Sequence, residues 1–119
     1  PFNQMGLGMK KTMLVAMCLV LAACSGQSVE QVVKKVQDKQ IKDGDAIVVT
    51  GVVGKFGMEP EPFVLLQGAD KQNAVYGVLP KEALAGLSEG KQITLDCRNI
   101  HHQANGKGML MTSRNCIVK

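Results

Sequence analysis

The chain has 119 residues, 14 Lys+Arg against 10 Asp+Glu, four Cys, no Trp and one Tyr. That length holds one domain and excludes a large enzyme, a repeat array or a multi-helix membrane protein. The formal net charge of +4 is too small for the basic footprint of a nucleic-acid binder.

Residues 1–8 precede the first methionine that opens a charged segment, and are expected to be an upstream extension outside the folded domain. Met9-Lys10-Lys11 then reads as the n-region of an export signal, and residues 13–22 as its apolar h-region. The run is too short for a spanning helix. Leu21-Ala22-Ala23-Cys24 resembles the bacterial lipobox, which implies cleavage after residue 23 and lipidation of Cys24. Removal of 23 residues from 119 leaves 96, and loss of Lys10 and Lys11 lowers the net charge from +4 to +2.

The remaining cysteines, Cys97 and Cys116, are an even pair in an exported chain and read as a disulfide. Two buried free thiols are the alternative; zinc is disfavoured because neither belongs to a C-x-x-C pair. The bridge would close a loop of 18 intervening residues, contributing about 3 kcal/mol on the chain-entropy account.

Along the mature chain, residues 24–45 are expected to form a tether and an N-terminal helix. Ser28 and Gln31 make a capping box, and Val29, Val32, Val33 and Val36 form one apolar stripe. Lys42-Asp43-Gly44-Asp45 is turn chemistry that ends the helix by residue 41. From residue 46 the period becomes two. Strands are expected at 46–56, bent at Gly51 or Gly54, then at 63–67 and 74–79. A short helix follows at 81–87, with Pro80 at its start. Strands at 91–100 and 109–118 flank a turn at Asn105-Gly106-Lys107-Gly108. Pairing Cys97 with Cys116 centres that hairpin between Gly106 and Lys107, so turn chemistry and bridge agree.

Three strands, a short helix and two more strands match the order of a five-stranded OB-fold, a Greek-key barrel, over residues 46–119. Residues 47–53 (Ile-Val-Val-Thr-Gly-Val-Val), 87–95 (Leu-Ser-Glu-Gly-Lys-Gln-Ile-Thr-Leu) and Asn115-Cys116-Ile117 resemble the tRNA-anticodon-like OB-fold family of small bacterial lipoproteins. Gly77 and Ser113 depart from the resemblance, standing where a larger residue is usual. The family name describes a fold and implies no activity.

Alternation then sorts the first three barrel strands. Ile47, Val49, Gly51, Val53, Val64, Leu66, Val75, Gly77 and Leu79 are expected inward. Val48, Val52, Phe63, Leu65, Tyr76 and Val78 collect outward, an apolar face of the kind on which OB-folds bind ligands. The valine-striped helix is expected to cover this face. The functional expectation is a non-catalytic binding or interaction module, lipid-anchored to a bacterial membrane and facing the periplasm. Ser25 after the lipidated cysteine favours the outer membrane, and the partner is an envelope protein or a glycan.

Other classes have less support. Oligonucleotide binding needs stacking aromatics and a basic groove, whereas residues 24–119 carry only Phe56, Phe63 and Tyr76 and present Glu59 and Glu61 in a loop. No Ser/His/Asp constellation, phosphate loop or zinc motif suggests an enzyme or a cofactor. His101 and His102, being adjacent on a strand, are expected on opposite faces and unable to act together. Copper binding by His101 or His102 with Met109 and Met111 is the metal alternative.

Overall fold

The computed structural model describes residues 26–119. The expected extension 1–8, the signal segment 9–23 and Cys24 lie outside the described residues. Within them the architecture is mainly β. A short strand β1 (Gln27–Ser28) leads into helix α1 (Val29–Gln37), then β2 (Ile47–Gly57), β3 (Phe63–Gln67) and β4 (Ala74–Val78). A 3₁₀ helix (Lys81–Gly86) precedes β5 (Gln92–Arg98), β6 (His101–Asn105), β7 (Gly108–Ser113) and β8 (Asn115–Val118).

The capping box forms as read. Ser28 Oγ accepts from the Gln31 backbone N–H at 3.1 Å, and the Ser28 backbone N–H donates to Gln31 Oε1 at 2.8 Å. The helix nevertheless stops at Gln37, four residues before the expected end. After Val36 the stripe lapses into Lys39 and Gln40, and Lys39 turns into the left-handed region at φ 64°. Ile41 then packs against the core from outside the helix.

The eight strands form one sheet in the order β6-β7-β4-β3-β2-β5-β8, with β1 paired in parallel beside β2. Strand β2 serves both halves. Its residues 47–52 pair with β5 and its residues 52–57 with β3, and the register shifts between Val53 and Lys55. That bulge, at Gly54, lets one strand turn through the corner of the sheet.

The two C-terminal strands expected at 91–100 and 109–118 are each split in two. Cys97 faces Cys116 and, farther out, Asn105 faces Gly108, so one hairpin register runs through both halves. The interruption falls at Asn99, whose φ is 52°. There the chain leaves its partner and bonds to the turn after α1: Ile100 N–H donates to Asp45 O at 2.9 Å and Gly44 N–H to Ile100 O at 2.7 Å. On the opposite strand Ser113 Oγ donates to Arg98 O and accepts from Asn115 N–H at 3.1 Å, which fixes the matching break. Past this corner β7 lies parallel to β4, with Val75 opposite Met111 and Gly77 opposite Ser113.

The alternation holds in β2 as far as Val53 and in β3, and puts Val75, Gly77 and Leu79 inward as read; past the bulge the phase of β2 inverts, so that Phe56 packs against the core. Ile47, Val49, Val53, Val64, Leu66, Val75 and Leu79 are buried. The valine helix does not lie where it was expected. Val29, Val32, Val33 and Val36 are all buried in the same core as these inward residues, and Val29 Cγ2 stands 3.1 Å from where a Cβ on Gly51 would be. Helix α1 thus fills the concave side of the sheet, and the outward face is not its partner. The 3₁₀ helix, which has no fully buried residue, contributes only Ala83 and Leu84 to the edge of the core. The larger apolar stripe occupies the interior because that is where burial removes most surface from water.

Cys97 and Cys116 form a disulfide, with Cα atoms 4.1 Å apart and both residues buried. The small residues at Gly77 and Ser113 now have a reason. A Cβ on Gly77 would stand 2.8 Å from Cys116 Sγ, so the bridge occupies the volume that a larger residue would fill. Ser113 is small because its hydroxyl bonds the strand break.

Two outcomes follow for stability. Val32→Ala, which opens a cavity among the helix valines, should lower stability by about 2 kcal/mol, read as a lower urea midpoint at unchanged slope. Gly77→Val should destabilise the oxidised protein by several kcal/mol through overpacking, and part of that loss should disappear after reduction of Cys97–Cys116.

Candidate binding face

Four of the six outward residues come together. Phe63 lies directly opposite Val78, and Leu65 opposite Tyr76, on adjacent antiparallel strands. Side chains opposed in this way are within contact reach on one face. The rings of Phe63 and Tyr76 stack diagonally across it, with centroids 5.2 Å apart and planes at 15°. All four residues are part-exposed, in contrast to their buried neighbours Val64, Leu66, Val75 and Gly77. Tyr76 also faces Thr112 on β7, so the face continues onto the strand expected last in the chain.

Val48 does not belong to this patch, and Val52 lies at its border. Strand β2 pairs Gly57 with Phe63, whereas Val48 pairs with Asp96 of β5. Nine residues of strand separate positions 48 and 57, roughly 30 Å of chain at the usual rise. Val52 sits between, 43% exposed and opposite Gln67 and Gln92. Residues on one side of a bent strand do not make one surface.

A polar rim borders the four-residue patch. Tyr76 Oη donates to Glu61 Oε2 at 3.2 Å, and the Arg114 guanidinium pairs with the same carboxylate. Partial burial pushes the Tyr76 hydroxyl above its ordinary value, and the neighbouring Glu61 carboxylate raises it further. Glu61 comes from the loop between β2 and β3, and Arg114 from the break between β7 and β8. No sequence signal joins them, because they are 53 residues apart and meet only once β7 lies beside β4.

A second polar cluster sits at the β6 edge. Asp43, in the turn after α1, receives the His102 backbone N–H at 3.1 Å and lies 2.6 Å from His102 Nδ1. His101 Nδ1 is 3.8 Å from the other oxygen of the same carboxylate. The two adjacent histidines therefore do converge, contrary to the expectation from strand alternation, because Asp43 stands beside an edge strand and reaches both faces. Met111, opposite His102, is fully buried beside Val75, and Met109 packs against the core. Both thioethers serve as packing groups. Among the described residues no three His, Cys, Asp or Glu side chains group as a metal site.

The Asp43 carboxyl is pushed upward by desolvation, but hydrogen bonds from His102 and the charges of His102 and His101 outweigh this and leave it below its ordinary value. A depressed carboxyl stabilises the fold above its unfolded pKa of about 4, and the contribution is lost as pH falls through the lowered folded value. Asp43→Asn should therefore flatten the part of the acid limb that lies below about pH 4. Urea midpoints of both proteins between pH 2 and 6 measure this; parallel profiles would remove the Asp43 contribution. No protein-family model and no curated protein matches the chain, so the site is identified by its geometry.

Proposed function

We propose that this protein is a lipid-anchored envelope module that binds a partner, without catalysis, through the face of Phe63, Leu65, Tyr76 and Val78. One observation carries the reading. These four apolar residues form two directly opposed pairs on the outward side of β3 and β4, while the helix able to cover them lies on the other side of the sheet. A part-exposed apolar pair-of-pairs with a stacked aromatic and a charged rim has the composition of a recognition surface.

The fold reading is an OB-like barrel. Support comes from the antiparallel β2-β3-β4 run, the parallel β4–β7 pair, the antiparallel β2–β5 pair and the bulged, bent β2. In this reading β5 with β6, and β7 with β8, are the fourth and fifth barrel strands, each broken at a corner. The lipobox-like residues 21–24 and the disulfide of an exported type support the reading of an envelope module, for which an envelope protein or glycan is the proposed partner.

Two experiments test this. Cys24→Ala should abolish membrane association and leave a precursor or a soluble chain; wild-type fractionation would end the lipoprotein reading. A photoreactive phenylalanine analogue at Tyr76 should give a discrete cross-linked adduct in intact envelopes. The same analogue at the exposed Glu89 should not. Equal labelling at both positions, or none at either, would reject the face.

A further inference from the structure

The route of the chain into the domain points to a second surface. Gly26 has φ 91°, and a Cβ there would stand 3.0 Å from Val48 Cγ1, 3.2 Å from Thr50 Oγ1 and 3.3 Å from Thr94 Cγ2. Only glycine fits, because the backbone is laid directly on the outward side chains of β2 and β5. The next two residues are already locked into the sheet, with Gln27 opposite Val49 and Ser28 opposite Thr50. The segment expected to be a short tether is fixed to the domain from residue 26 onward.

Cys24 stands two residues earlier. At no more than about 3.6 Å per residue, it is within ~7 Å of Gly26. The headgroup layer of one leaflet is itself roughly 5–8 Å deep. A lipid-bearing Cys24 would leave no room for the domain to stand away from the membrane.

We propose that the outward side of β2, β5 and β8 is a phospholipid-facing surface, held against the headgroups by the N-terminal lipid. The proposal rests on the anchored-lipoprotein reading. Its chemistry suits that position. The lining of an open pocket of about 370 Å³ includes Lys91 and Lys119, whose ammonium groups suit a phosphate, beside the apolar Ile93 and Val118, while the Thr50 and Thr94 hydroxyls there bond each other at 2.7 Å. Beside it lie two exposed aliphatic side chains, Val52 and Ile117, the latter 50% exposed. Lys91 also donates to Gly86 O at 2.8 Å, which fixes one end of its side chain. Asp96, opposite Val48 and Ile117, is an acidic group on this side. The patch of Phe63, Leu65, Tyr76 and Val78 lies toward the other end of β2, so the bilayer and the partner would use different ends of one sheet.

The test uses the acylated full-length chain in vesicles of phosphatidylethanolamine and phosphatidylglycerol. A water-soluble amine-reactive reagent labels accessible lysines, and mass spectrometry reads each site and the acyl mass on Cys24. A comparison chain carries about 20 Gly/Ser residues inserted between Cys24 and Gly26, a reach of roughly 25 Å. Labelling of Lys91 and Lys119 should be several-fold lower in the parent chain than in the lengthened one, with Lys39 and Lys107 equal in both. If Cys24 is acylated and Lys91 and Lys119 react equally in both chains, membrane docking is overturned while the anchor stands. If Cys24 carries no acyl group, the anchor reading itself falls, and this surface with it.

Discussion

The contact between the disulfide and Gly77 is the constraint on which the rest of the arrangement depends. Strand β8 has four residues and lies at the end of the sheet order, where pairing alone holds an edge strand weakly. Cys116 binds it covalently to β5 and drives its sulfur against β4 at Gly77. Three strands from distant parts of the chain thus share one buried point. Both β7, which must lie along β4, and the strand break at Ser113 follow from satisfying that point and the hairpin turn together.

The same economy appears at the turn between β3 and β4. Glu30, in the first turn of α1, accepts the backbone N–H groups of Ala69 and Asp70 at 3.2 Å each. From the other side Asn73 Oδ1 accepts Met109 N–H at 2.9 Å, and Gln72 Oε1 accepts Lys107 N–H at 3.1 Å. One turn is gripped by the N-terminal helix and by the C-terminal hairpin. It therefore couples the ends of the described chain, and backbone groups that would otherwise be left to water find protein partners. The interior filled by α1 and the outward face left part-exposed are two sides of this single arrangement.

That division gives the functional reading its shape. Apolar residues that remain part-exposed beside a fully buried core are where recognition is expected. The face of Phe63, Leu65, Tyr76 and Val78 is framed by the Glu61–Arg114 pair, whose charges favour a partner with matching polar groups at the edge. Val48 belongs to a different end of β2, beside Gly26, where the described chain begins its pairing with the sheet.

Local periodicity carried much of this in advance. The capping box at Ser28, the valine stripe, the alternation of β2 to β4, the Gly106-Lys107 turn and the opposition of Cys97 to Cys116 were all legible, because each depends on neighbours within a few residues or on one hairpin register. Three features were not. The break at Asn99 needs Asp45 as a partner, and the meeting of Asp43 with both histidines needs the same turn, 54 or more positions away. The side of the sheet taken by α1 was equally hidden, since an amphipathic stripe specifies that it must be buried but not against what. Alternation likewise assigns a residue to a face without saying whether that face is continuous. Only the pairing register decided that Val48 and Phe63 are apart, because β2 spends residues 47–52 on β5 and reaches Phe63 only at Gly57, so its two-residue period puts them on one side without bringing them together.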